Sequence, residues 1–135
     1  MRRVLAWEGA RRGADRTRIE LTLLDASAMR RLNRRAFGHR ALTDVIAFAL
    51  PQPDGSVLGD VYICPVAAAR WVNGRGAGKG EAGNVAEELV RLAVHGTLHV
   101  LGYDHPAGPG RVRSAMWRRQ ERYLRRLRAA PGDVR

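Results

Sequence analysis

Three of the four histidines fall in one short run, His95-Gly96-Thr97-Leu98-His99-Val100-Leu101-Gly102-Tyr103-Asp104-His105, spaced HxxxHxxGxxH. Residues four apart on a helix have Cβ atoms roughly 5–6 Å apart, so the imidazoles of His95 and His99 can converge on one ion. Gly102 can adopt the positive φ that ends the helix and turns the chain back, which lets His105 complete a face of three nitrogens. A fourth position then stays open to water or substrate. Imidazole nitrogens favour zinc, although copper, nickel and iron(II) accept them too, and the spacing does not choose among them. A zinc ion with an open position lowers the pKa of bound water from about 15.7 to near 7 and polarises a phosphoryl or carbonyl oxygen, so hydrolysis is the natural reaction class.

A structural zinc site would need a fourth protein ligand. Cys64 is the single cysteine, and nothing in the local sequence brings it to the histidines. Zinc proteases that share this histidine spacing require a glutamate directly after the first histidine as general base. Here that position is Gly96, which counts heavily against a protease. Phosphodiester cleavage is less demanding, because the ion can handle the nucleophile or leaving oxygen while arginines hold the phosphate charge of the transition state.

The elements that must position these residues are partly legible. Asn84 starts a periodic helix whose stripe of Val85, Leu89, Leu92, Gly96 and Val100 runs to the stop at Gly102. Val4–Trp7 and Ile19–Leu24 read as strands, and Asp25 or Ser27 caps a helix reaching Phe37. Thr43–Leu50 and Val57–Cys64 read as a β-hairpin around the turn from Pro51 to Ser56. Pro65 opens a short helix to Trp71, and the stretch from Asn73 to Gly80 predicts a mobile basic loop. After the break from Pro106 to Gly110, a final helix is expected to turn Val112, Met116, Tyr123 and Leu127 inward and Arg111, Arg118, Arg122 and Arg125 largely outward.

Composition bounds the partners. The 135 residues suit one domain, expected to span 1–135, and 45% hydrophobic with 27% charged residues is enough for a real core. Twenty-four Lys+Arg against thirteen Asp+Glu give a net charge of +11, with Lys79 the one lysine, so a polyanion such as nucleic acid is the first partner to expect. No apolar run reaches the ~18 residues of a membrane span, no signal-peptide pattern opens the chain, and the lone cysteine suits a reducing compartment. A cytoplasmic protein is expected.

The segment from His95 to His105 strongly resembles the signature of the bacterial YbeY family of rRNA-maturation endoribonucleases. Leu32-Asn33, Thr43-Asp44-Val45, Leu58-Gly59-Asp60, Met116 and Gln120-Glu121 follow in the family's order, so the resemblance spans most of residues 20 to 124. It implies an α+β fold with a small sheet packed by helices, and a zinc site of His95, His99 and His105 at the end of a long helix. It also implies metal-dependent cleavage of single-stranded RNA at the 3′ end of the small-subunit rRNA and in ribosome quality control. Ribosomal RNA is then the expected partner, with ribosomal proteins or the small subunit beside it.

Two departures from the family pattern stand out. The family arginine that follows the Leu-Asn pair aligns with Phe37, so Arg34, Arg35 and Arg40 are the candidates to supply that charge from a neighbouring position, with Arg35 preferred. Only Glu8 to Arg18 is available for the helix between the family's first two strands. His39 is a candidate proton-transfer group, Asp44 and Asp60 are candidates for supporting a ligand, and Asp104 either orients His105 or bonds its own turn. The alternative function is an RNA- or ribosome-binding assembly factor with a structural zinc, and a hydrolase of proteins or small molecules ranks last.

Overall fold

A computed structural model of the chain describes residues 1–75 and 84–129. Helix α1 (Arg2–Glu8) leads through a 3-10 segment (Arg11–Arg16) to strand β1 (Thr17–Leu23), helix α2 (Ala26–Phe37), strands β2 (Val45–Pro51) and β3 (Val57–Ile63), and helix α3 (Pro65–Arg75). Helix α4 (Val85–Val100), a second 3-10 segment (Gly108–Arg113) and helix α5 (Ala115–Ala129) follow. The fold is α+β, with a three-stranded sheet in the order β1-β3-β2. Strands β2 and β3 form the antiparallel hairpin, and β1 joins β3 in parallel with Leu21 opposite Val61.

Local chemistry explains where the helices stop and start. The Asp25 carboxylate accepts from the Ala28 amide at 2.8 Å, and Asn84 Oδ1 accepts from the Glu87 amide at 2.8 Å, each satisfying an amide that has no partner within its helix. Helix α2 ends at Gly38, whose φ of 71° closes the last turn.

The core lies in layers on both faces of the sheet. Val61 and Ile63 of β3 pack with Leu92 and Val100 of α4 on one face, and Ile46 and Cys64 pack with Met29 of α2 on the other. Across α4, Val94 and Leu98 meet Val4 of α1 and Met116 and Tyr123 of α5. Helix α4, the histidine carrier, is therefore the central element, held by the sheet on one side and by two helices on the other.

Four expectations are corrected. Val4–Trp7 is helical rather than extended, because Val4, Trp7 and Glu8 share one face at helical spacing and turn it against α4 and α5. Val112 is 49% exposed rather than inward, since it lies in the 3-10 segment and α5 begins only at Ala115. Arg111, expected outward, is half-buried and lines a cleft. Helix α3 continues to Arg75, past the expected stop at Trp71 and into the expected loop. The remainder of that loop lies outside the described residues. Among the described residues no helix is long and apolar enough to cross a membrane.

Candidate metal centre and adjoining cleft

The histidine helix is seated by two glycines. A Cβ at Gly96 would stand 2.5 Å from Cγ1 of Val61, and a Cβ at Gly59 would stand 2.6 Å from Cγ1 of Val100. Helix α4 therefore lies so close to β3 that any side chain at either point forces the two apart. The residue that denies the site a protease glutamate is thus also the residue that fixes the height of His95 and His99 above the sheet. The helix ends at Leu101, and Gly102 takes a φ of 90° that reverses the chain. The Asp104 carboxylate accepts from the His105 amide at 2.8 Å, so Asp104 serves the turn.

The sequence brings three imidazoles together, and their hydrogen bonds orient all three alike. His95 Nδ1 faces Gln120 Oε1 at 2.6 Å, His99 Nδ1 faces the Tyr103 carbonyl at 3.0 Å, and His105 Nδ1 faces the Pro106 carbonyl at 2.9 Å. Gln120 Nε2 donates to Glu121 Oε2 at 2.9 Å, which fixes the amide so that its oxygen is the atom presented to His95. Each oxygen only accepts, so each Nδ1 must carry the proton and each Nε2 must carry a lone pair.

Those lone pairs point at one another. His105 Nε2 lies 3.2 Å from His99 Nε2 and 3.3 Å from His95 Nε2, and one ligating nitrogen from each ring falls within 4.8 Å of the others. Three converging lone pairs repel unless a cation lies between them. Nitrogens bound at about 2.0–2.1 Å in tetrahedral geometry are roughly 3.3–3.4 Å apart, so the cluster fits one ion. The surroundings also favour neutral rings. Burial, checked in part by the Gln120 bond and reinforced by the neighbouring histidines and Arg111, lowers His95 to about 4 from an ordinary 6.5. Burial, with His105 beside it, lowers His99 as well.

A cleft of about 850 Å³ opens beside His95. Its lining comes from α3 through Trp71, from the residues entering β2 through Asp44, and from α4 through Glu88 and Arg91. Arg111 and Arg113 of the 3-10 segment and Trp117 of α5 complete it. Glu88 is buried and bonds Arg91 at 2.9 Å, and Arg91 in turn holds Glu121 through Nε at 3.0 Å and Nη2 at 3.1 Å. Burial raises the Asp44 and Glu88 carboxyls above their ordinary values.

Arg35 and His39 are exposed, at the end of α2 and just past it, and neither lines the cleft. Phe37 stacks on Phe48 with ring centroids 6.0 Å apart. Asp60 borders a different hollow together with Arg18 and Glu20.

The sequence reading missed Gln120, Arg111 and Glu8 as contributors to the site. Gln120 lies on the inward stripe with Met116 and Tyr123, and a polar residue on an otherwise apolar stripe was its signal. Glu8 carried a similar signal, being acidic on the face of Val4 and Trp7. Its carboxylate accepts from Tyr103 Oη at 2.6 Å, from Arg119 at 3.0 Å and from the Tyr123 hydroxyl. Burial pushes this carboxyl up, but those hydroxyls and the Arg119 charge outweigh it and hold Glu8 below its ordinary value. Helix α1 is thereby tied to Tyr103, the residue whose carbonyl orients His99.

The model of a family described as endoribonuclease YbeY matches residues 1–128. An endoribonuclease YbeY of Moorella thermoacetica is 40% identical over 123 residues, covering 82% of this chain and 74% of its own length. The protein of the same name from Mycolicibacterium gilvum is 37% identical over 99 residues, 64% of this chain and 52% of its own. The chain thus spans about three quarters of the first relative and about half of the second. The solution structure of TM1509 from Thermotoga maritima shares the fold, with a TM-score of 0.56, 24% identity, and coverage of 98% of this chain and 83% of that one. With a family match over residues 1–128, and three converging imidazoles on the helix and turn that carry the motif, the chain belongs to the YbeY endoribonuclease family.

Proposed function

We propose that the chain is a zinc-dependent endoribonuclease that cleaves single-stranded ribosomal RNA, with His95, His99 and His105 holding the ion. The observation that carries this reading is the convergence of three Nε2 atoms whose Nδ1 partners are all oxygens. A divalent ion held there supplies Lewis acidity toward a phosphate oxygen and a lowered pKa for water. Gln120 and the Tyr103 and Pro106 carbonyls keep the rings in the ligating tautomer, and burial keeps His95 and His99 unprotonated near neutral pH.

The remaining assignments belong to the same proposal. Residues 1–135 act as one domain in the cytoplasm, on rRNA and in company with ribosomal proteins or the small subunit. Arg35 is the proposed phosphate clamp and His39 the proposed proton-transfer group. Both are exposed, so Arg35→Gln and His39→Asn leave folding intact and test these roles cleanly. Loss of cleavage in either supports its role, and unchanged cleavage removes it.

The deciding experiment is zinc content together with cleavage of single-stranded ribosomal RNA, for the wild type and for His99→Ala, before and after chelation. About one zinc per chain, with cleavage lost in the variant and in the chelated protein, is the expected result. Bound zinc without any metal-dependent cleavage overturns the enzyme reading in favour of an assembly factor.

A further inference from the structure

The turn that leads to His105 is gripped from the opposite end of the chain. Tyr103 and Gly102 donate their amides back to the Leu98 and His99 carbonyls, at 3.0 Å and 2.9 Å, which closes α4 and reverses the chain. Those bonds use the Gly102 amide, and Arg12 takes its carbonyl: Arg12 Nη1 donates to Gly102 O at 3.1 Å across 90 residues of sequence. The same guanidinium lies over the Tyr103 ring, its carbon 4.0 Å from the centroid. It also sets a positive charge at the C-terminal end of α4, where the helix dipole is negative. The reach has a backbone cost. Arg12 has φ 52° and ψ 23°, the left-handed region, and among the described residues it is the one non-glycine with a positive φ. Gly13 adopts the same conformation without strain. An arginine at a position that suits glycine persists where its side-chain contacts outweigh the strain.

The residue held by this grip is Tyr103. Its carbonyl faces His99 Nδ1 at 3.0 Å, and His105 follows two positions later. The segment that carries Arg12 is itself fixed on both sides, by Glu8, which accepts from Tyr103 Oη at 2.6 Å, and by Thr17 Oγ1, which donates to the Gly13 carbonyl at 2.8 Å. A shift of Tyr103 therefore turns the His99 ring and displaces His105 together. We propose that Arg12 is a positioning residue for the metal centre: by binding the Gly102 carbonyl and covering the Tyr103 ring, it holds the Tyr103 carbonyl against His99 and fixes the approach of His105. This deepens the metal-site reading and rests on it for the identity of the ligands. Arg12 acts through the turn and not by contact with substrate. Nitrogens aligned in advance bind an ion more tightly, because less ordering accompanies binding.

The test is Arg12→Gly in the full chain, which removes the guanidinium and relieves the left-handed backbone at the same time. Urea denaturation of the metal-free variant is expected to stay close to the wild type, while competitive chelator titration shows zinc affinity lower by about tenfold. Long-range proton–nitrogen NMR correlations of the metal-free protein, at one fixed pH above neutrality, report the tautomer of each ring. His99 is expected to carry its proton on Nδ1 in the wild type and to become a mixture of tautomers in the variant. His95, oriented by Gln120 from α5, keeps its wild-type signals. Arg12→Lys, which retains the charge without the planar fork, recovers part of the zinc affinity.

Zinc affinity and His99 signals that match the wild type overturn the proposal, and a change confined to the salt dependence of RNA binding does so by making Arg12 an RNA contact. Disturbance of His95 and His99 alike, with a parallel loss of stability, also overturns it, in favour of general support of the fold. The metal-free spectra separate this claim from the metal-site reading. A wild type that takes up no zinc, with a His99 tautomer that still depends on Arg12, removes the metal-site reading and keeps Arg12 as the residue that sets the ring. Zinc bound equally by wild type and variant keeps the metal-site reading and removes the role of Arg12.

Discussion

Gln120 illustrates what a single hydrogen bond does in this site. Its Oε1 receives the His95 Nδ1 proton at 2.6 Å, and its Nε2 is held by Glu121, so the ring has one tautomer and one orientation. Gln120→Leu keeps the volume and removes the acceptor. Zinc affinity is expected to fall about 10–100-fold, with thermal stability moving far less, as measured by competitive chelator titration beside a melting curve. His95 itself makes the metal-free protein sensitive to acid. In the unfolded chain its imidazole takes up a proton near pH 6.5, whereas in the fold it does so only near 4. The unfolded state therefore binds more protons between those values, and stability rises with pH across the window. Urea melts of the metal-free protein are expected to weaken steadily from pH 6.5 down to about 4, and a flat profile would contradict a buried neutral His95.

At the scale of elements, the site depends on how closely α4 approaches the sheet and on what ties α1 to the ligand turn. Gly96→Ala places a methyl group 2.5 Å from Val61 Cγ1. Relief by shifting the helix is expected to cost about 1–3 kcal/mol of stability and to lower zinc affinity, because His95 and His99 move with the helix. Chemical denaturation and metal titration of the same variant check both. Glu8 has a side chain with no solvent exposure and joins Tyr103, Tyr123 and Arg119. Glu8→Ala strands these partners, so a loss on the order of 2–4 kcal/mol is expected, with Glu8→Gln recovering part of it. Hydrogen exchange at Tyr103 tests whether the loss spreads to the turn that carries His105.

The whole molecule carries a net charge of +11, and part of it is displayed on α5, where Arg118, Arg122 and Arg125 are exposed. RNA binding is expected to weaken steeply with salt. Arg122→Gln combined with Arg125→Gln should lower the slope of log K against log salt by about 0.7 for each RNA phosphate that the pair neutralises, with cleavage chemistry at saturating RNA unchanged. A slope that does not move would mean that this face is solvated and takes no part in binding.

What the sequence determined by itself is what short-range geometry controls. The spacing of His95, His99 and His105 and the glycine at 102 required a helix end with a reversal, and the turn-forming run from Pro51 to Ser56 between two strand-like segments required a hairpin, because each depends only on residues a few positions apart. Val4–Trp7 was misread for the opposite reason. Four apolar residues suit either a strand or a helix, and the choice fell to Val94, Leu98, Met116 and Tyr123, which lie far away in the chain and present a surface that a helical face fills. The same holds for Gln120, Glu8 and Arg111. Tertiary packing brought Gln120 of α5 to a histidine on α4, Glu8 to a tyrosine 95 residues away, and Arg111 into the cleft beside His95. Sequence spacing cannot encode a partner on another element, since hydrogen bonding and charge act through space and the fold alone fixes those distances.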